Sequence, residues 1–264
     1  MRARRLVVEE RIPSRGGLPR EQVLEIQRTR LLAGALAAIE EYGYADTTVA
    51  RITARARVSR RTFYELFADR EACLAALAEY VVGLLEVELA QAGLAGLPWR
   101  DRVRGGLQTI LAFCDREPAL ARICVVHAPR GGPELLASRA QVLARLSSVV
   151  DEGRKEGRRA SDCSPLTADG LVGATFAILH MRLVHKQRTP LTGLLSELTS
   201  MIVLPYLGSA AARREQARPV AAAPPAARRA PHALALSGGD PLQGLPMRLT
   251  YRTAQVLGCI AAHP

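Results

Sequence analysis

An all-α fold in two helical units is predicted for this chain, and three observations carry the prediction. Apolar residues recur at helical spacing through most of residues 20–207, and no strand alternation stands out there. Gly and Pro signals cut the periodic stretches into pieces of helical length. In the stretch from Thr47 to Leu74, two helix-starting residues, Thr48 and Ser59, stand so close that two short helices must meet at a tight turn.

The elements follow in order. Residues 1–19 are arginine-rich, broken by Pro13, Gly16, Gly17 and Pro19, and read as a flexible basic arm. From Arg20, the series Leu24, Leu31, Leu32, Ala35, Leu36 and Ile39 marks a long amphipathic helix ending near Glu41, with Gly43 as its stop. Val49, Ile52 and Ala56 follow Thr48 at helical spacing. Behind Ser59, the residues Thr62, Phe63, Leu66 and Phe67 form an inward stripe, while Arg60, Arg61, Tyr64 and Glu65 are left outside. This pair is a helix-turn-helix. Asp69 caps a fourth helix, whose stripe Leu74, Leu77, Val81, Leu85 and Leu89 connects the first unit to a second.

Between Arg51 and Arg61 there are five arginines and no acid, a density suited to resting on phosphates and releasing counterions. A solvated helix face is the competing reading, but this run coincides with the turn and both caps. The first turn of the second helix is where such motifs reach base edges, and Arg60 or Arg61 can pair bidentately with guanine. Thr48, Tyr64 and Arg70 are assigned to phosphates. The full expected DNA-contacting set is Thr47, Thr48, Arg57, Ser59, Arg60, Arg61, Thr62, Tyr64 and Arg70. For the basic arm, tracking of the minor groove and plain disorder both stay open.

These residues resemble the DNA-binding domain of TetR-family transcriptional regulators, whose signature runs T-x-x-x-I-A-x-x-A-G-V-S-x-x-T-F-Y-x-x-F-x-x-K-E-x-L. The match comprises Thr48, Ile52, Ala56, Val58, Ser59, Thr62, Phe63, Tyr64, Phe67, Glu71 and Leu74. Arg57 stands where the family has a turn glycine, and Arg70 replaces a lysine while keeping a cation that can meet phosphate. The resemblance implies a DNA-binding domain over residues 20–74 and a helical ligand-binding and dimerisation domain over 75–207.

In that second unit, periodicity predicts helices from Trp99 to Asp115, Pro118 to His127 and Pro133 to Glu156. Two nearly uncharged helices follow, Leu166 to Val184 and Leu191 to Leu207; apolar all round, they are buried in the core or against another subunit. The resemblance implies that this pair forms a homodimer interface, so that two heads read a palindrome of double-stranded DNA. It also implies an unknown small-molecule effector. Leu107, Leu111, Phe113, Ile123, Val126, Phe176, Leu179 and His180 are candidates for its pocket, against the plainer reading of core residues. Residues 208–245 are rich in Ala, Pro and Arg and read as a linker. Residues 246–264 return to helix character and weakly resemble the opening of a winged helix-turn-helix domain, read as a truncated domain or as a helix docked on the body or a partner.

The rest of the chain narrows the function. A formal charge of +11 over 264 residues favours a polyanionic partner, and residues 1–70 hold fourteen arginines against nine acids. Cys73, Cys114, Cys124, Cys163 and Cys259 lie far apart without C-x-x-C, which argues against a zinc site or disulfide framework. His180 and His185 are five apart and do not share a helix face as a metal pair requires, so no metal and no cofactor are expected. No phosphate loop, G-x-S-x-G, H-E-x-x-H or dinucleotide turn is present, so no enzyme is expected. The amino terminus lacks the apolar region of a secretory signal, and a cytoplasmic location is expected. The expected function is a dimeric, ligand-released repressor; the alternative is an architectural protein that binds DNA by charge alone.

Overall fold

The computed structural model describes residues 20–156, 163–185 and 189–220, and there the chain is helices joined by turns and short loops, with a single bridge residue at Val58. The arm over 1–19 and the carboxyl-terminal helix expected over 246–264 lie outside the described residues.

The amino-terminal unit is built by α1 (Arg20–Tyr42), α2 (Val49–Ala56) and α3 (Arg60–Leu66). Gly43 ends α1 with φ +83°, its N–H bonded to the Ile39 carbonyl at 2.9 Å. Thr48 caps α2 by accepting from the Arg51 N–H at 3.3 Å, and Ser59 caps α3 by accepting from Thr62 N–H at 3.0 Å. Leu31, Leu32, Ala35, Ile52, Phe63 and Phe67 close the core between the three helices.

Helix α4 (Arg70–Gln91), capped by Asp69 on the Ala72 N–H at 2.8 Å, serves both units. Its first half, Cys73 to Ala78, packs in the head core, which also takes in Ile123, Ala128 and Leu135 from the body. The body comprises α5 (Trp99–Arg116), α6 (Pro118–Arg122), α7 (Pro133–Asp151), α8 (Thr167–Val184) and α9 (Leu195–Leu207). Between α6 and α7 the coil loosens to a π-turn over Ile123–His127 and then tightens to a 3₁₀ turn over Ala128–Arg130 before Gly131 and Gly132 release it. Trp99 anchors the body core, edge-on to Tyr206 and donating from Nε1 to the Val149 carbonyl at 2.9 Å. Asp115, at the end of α5, accepts from the N–H groups of Leu191 (2.6 Å) and Thr192 (3.0 Å) and so fixes where the approach to α9 begins.

The linker assigned from residue 208 begins instead with a helix, α10 (Ser209–Ala217), packed on α9. Composition suggested a loop because alanine and arginine build no core of their own, yet Glu215 turns inward and is only 2% exposed. It pairs with Arg104 at 3.3 Å, itself 5% exposed, and with Arg100 at 3.1 Å. Arg104 also donates to the carbonyls of Arg218 and Pro219, and Arg218 reaches Asp101 at 2.7 Å. A buried carboxylate and guanidinium persist only because each satisfies the other. Among the described residues, no helix is long and apolar enough to cross a membrane.

Candidate nucleic-acid interface and internal cavity

Two short helices with no long apolar stripe of their own need a rigid joint, and the turn between α2 and α3 supplies it. Arg57 adopts the left-handed conformation at φ +54° that a glycine would enter without cost, and its N–H bonds to the Ala54 carbonyl at 3.4 Å. The next residue, Val58, is buried and donates to the Thr53 carbonyl at 3.1 Å, so the chain enters α3 already anchored.

On the outer side of α3, Arg60, Arg61, Tyr64 and Glu65 are exposed, with Tyr64 at 59% despite being aromatic. An exposed tyrosine beside arginines gives up burial that a core ring would have kept, and its ring is held edge-on to the buried Phe63 at 5.4 Å. Arg61 bonds Glu65 one turn along at 3.1 Å, a pair with 90% of the arginine side chain in solvent. Such a pair is weak enough to yield to a phosphate or a base. Arg57 and Thr48 are also exposed, at the turn and just before the start of α2.

Other members of the expected set are committed elsewhere. Thr47 is fully buried and donates to the Gly43 carbonyl at 2.8 Å, so its hydroxyl closes the α1–α2 loop and is withdrawn from the contact set. Thr62 is buried, its hydroxyl within 2.9 Å of the Ser59 hydroxyl, so this pair builds the cap of α3. Arg70 pairs with Glu71 at 2.5 Å and donates to the carbonyls of Ala45 (3.2 Å) and Thr47 (3.0 Å), clamping the loop to α4. The five-arginine run is likewise divided. Arg51 lies 4.2 Å from the Tyr42 ring centroid, while Arg55 bonds the Tyr42 hydroxyl at 3.1 Å and pairs with Glu41. Tyr42, which the sequence pattern placed merely at a helix end, thus gathers two of the five cations.

Behind the head, the loop before α2 meets the body. Tyr44 stacks on His127, ring centroids 5.2 Å apart and planes within 8°, and its hydroxyl bonds Glu71 at 3.3 Å. Burial raises the Tyr44 phenol above its usual range, and the Glu71 carboxylate adds to this. His127 is held below its usual value, first by burial and then by Arg130, Arg122 and His180; its Nδ1 is buried without a hydrogen-bond partner. A cationic imidazole is unwelcome at this seam.

The second half of α4 roofs a cavity of about 280 Å³, walled by Val81, Leu85, Phe113, Leu146, Phe176 and Leu179 among others. A second hollow of about 330 Å³ lies against it toward Val103, Leu107 and Ile202, and the two share Leu89, Ile110, Leu146, Val149, Phe176 and Leu179. Of the expected pocket residues, Phe113, Phe176 and Leu179 line the first hollow and Leu107 the second. Leu111, Ile123 and Val126 line neither; at 0–6% exposure they are core, Ile123 in the head cluster. His180 is half-buried and also outside both walls. The wall contributed by α4 and α7 went unpredicted, although the stripe Val81, Leu85 and Leu89 was visible as apolar.

Known proteins agree with this arrangement. Residues 31–77 match the model for bacterial regulatory proteins of the tetR family. The A-factor receptor protein of Streptomyces griseus is 26% identical over 161 residues, covering 59% of this chain and 55% of that protein. An uncharacterized HTH-type transcriptional regulator of Mycobacterium tuberculosis is 28% identical over 134 residues, covering 48% and 61%. The chain therefore spans a little over half the length of these curated relatives. Among solved structures, the fatty acid degradation regulator FadR of Bacillus halodurans superposes with TM-score 0.60 at 16% identity, covering 67% of this chain and 94% of that one. FadR of Bacillus subtilis in complex with stearoyl-CoA superposes with TM-score 0.53 at 17% identity, covering 66% and 96%; at these identities the likeness is one of fold. The family match falls on the helices whose caps, left-handed turn and exposed arginines make up the head, so residues 31–77 are similar to the DNA-binding segment of tetR-family bacterial regulatory proteins.

Proposed function

We propose that this chain is a sequence-specific transcriptional repressor that binds a palindromic operator as a homodimer and is released by a small molecule held in the cavity under α4. Arg60 and Arg61 are the base-reading candidates at the start of α3; Thr48, Arg57 and Tyr64 position the head on phosphates. One observation carries the reading: α4 belongs to both sites. Its first half, Cys73 to Ala78, lies in the head core, and Val81, Leu85 and Leu89 of its second half wall the cavity.

A ligand that favours a different seat for α4 therefore has a mechanical route to the head, provided it binds that arrangement more tightly than the DNA-competent one. The dimer is supported by α8, where Gly170, Gly173, Ala174, Ala177, Met181 and Val184 are exposed along one helical face. Small and apolar residues along an open stripe suit a symmetric helix–helix contact. Relatives of the same fold are described with bound small molecules, stearoyl-CoA for FadR of Bacillus subtilis and resorcinol for RolR.

The test is selection of bound sequences from a random duplex pool by the purified chain at near-physiological salt. Enrichment of a palindrome with half-sites about one helical turn apart supports the proposal. Equal recovery of all sequences replaces it with charge-driven, architectural binding.

A further inference from the structure

We infer that the cavity under α4 takes an elongated apolar molecule bearing a carboxylate, and that Arg139 of α7 holds that group. The inference rests on the effector reading above and names the chemistry of its ligand.

Three arginines border the two hollows, and their charges are met differently. Arg145 pairs with Glu86 at 2.6 Å, and Arg102 pairs with Glu152. Arg139, among the described residues, has no carboxylate partner, and its Nε is buried without a hydrogen bond. What it does have is the ring of Phe176, 5.9 Å from its guanidinium carbon, and a half-buried place in a wall that is otherwise almost wholly hydrocarbon. A guanidinium whose Nε has given up water without gaining an acceptor is an unmet demand, and its forked donors fit a carboxylate. With Ser138 as the neighbouring hydroxyl and no second unpaired arginine on the wall, one negative charge is matched, whereas a phosphate monoester would leave charge over.

The apolar body of the ligand has a defined course. From Arg139 the wall continues along α7 through Val142, Leu146 and Val149, which at 1.5 Å per residue spans roughly 15 Å. At Leu146 and Val149 the first hollow runs into the second. A flexible alkyl chain suits such a channel better than a compact ring system does.

The test compares dodecanoate with dodecanol by calorimetric titration of the full chain without DNA. The two probes share a tail and differ in the charge on the head. Dodecanoate is expected to bind at least about tenfold more tightly. Arg139→Met should abolish that preference while dodecanol binding and helicity are kept, and Arg139→Lys should retain part of it. Equal affinities in the native chain, no binding of either probe, or an undiminished preference in a folded Arg139→Met chain overturns the inference. Release of a selected operator is read separately. If dodecanol or another neutral molecule releases DNA while dodecanoate shows no advantage, the regulator reading stands and the carboxylate assignment falls. If dodecanoate binds through Arg139 without affecting DNA, the assignment stands and the release mechanism falls.

Discussion

Replacing Gly34 by Ala tests how the head is held together. Gly34 faces α2, and a methyl group on its Cα would lie 2.7 Å from the Ile52 carbonyl oxygen, 2.8 Å from the Ala56 nitrogen and 2.9 Å from the Ala56 Cβ. Ordinary contact begins near 3.4 Å, so α2 must retreat by roughly 0.7 Å. Two of the three obstructing atoms are backbone and have no rotamer to change, which puts the penalty toward the upper part of the ~1–3 kcal/mol range for overpacking. Alanine's better helix propensity returns ~1 kcal/mol, leaving a net loss of about 1–2 kcal/mol. Gly83 on α4 provides the matched control, since a methyl there meets nothing within 4 Å. Gly83→Ala should stabilise by about 0.5–1 kcal/mol. Urea unfolding followed by helical circular dichroism, with hydrogen exchange at the α2 amides to localise the effect, separates the two. If Gly34→Ala is as stable as the native chain, or if both substitutions move stability in the same direction, the close approach of α1 and α2 does not constrain the head as argued.

Four further outcomes are expected. Arg60→Ala or Arg61→Ala should lower operator affinity by about 1–3 kcal/mol with relaxed preference at one base pair if that arginine reads a base; uniform weakening with a salt slope reduced by about one makes it a phosphate contact, and no effect from either removes both from the interface. Glu215→Ala strands the Arg104 guanidinium in the body core and should cost about 3–5 kcal/mol, read as a fall in thermal midpoint; a shift as small as that of a surface substitution rejects this pair as a structural element. Because the folded state holds His127 below the usual histidine value, the unfolded chain binds this proton more readily. The stability His127 contributes is thus fully present above about pH 6.5 and declines as pH falls from there through the folded value. His127→Phe, which can keep the stack on Tyr44, should flatten the acid side of the midpoint-against-pH curve, and an unchanged slope assigns the acid sensitivity elsewhere. Burial pushes the thiols of Cys73, Cys114 and Cys124 up to about 12, so alkylation at pH 8 should reach them only on unfolding; modification faster than that would make one of them a reactive site.

What could be read from the sequence was local. Thr48, Ser59 and Asp69 declare their caps within three residues of the N–H groups they accept from, so the starts of α2, α3 and α4 were visible without tertiary information. Gly43 and Pro133 punctuate just as locally. What the sequence did not show depends on how the elements pack. Thr47 and Arg70 looked like surface polar groups, but Thr47 donates back to the Gly43 carbonyl one turn earlier, and Arg70 reaches the carbonyls of Ala45 and Thr47 across the loop between α1 and α2. Ser209 to Ala217 looked like linker because its stability comes from Arg100 and Arg104, more than a hundred residues upstream. Helical spacing identified Leu111, Ile123 and Val126 as inward but could not tell a filled core from the wall of a hollow. That difference depends on what the facing helices leave unfilled, and α7 supplied Arg139 with no mark in the sequence.

The tie between Arg104 and Glu215 also sets a timetable for synthesis. The two residues are separated by 111 positions, so the ribosome delivers the guanidinium long before its counterion. At ~5–20 residues per second the interval is roughly 5–20 s, ample for a short helical head to form. Throughout it, α5 cannot settle into a dry interior without an uncompensated charge, and the nascent body must stay hydrated at that point. Completion of the body is thereby deferred until α10 has been made, and a newborn chain presents a finished head on a body still open to water.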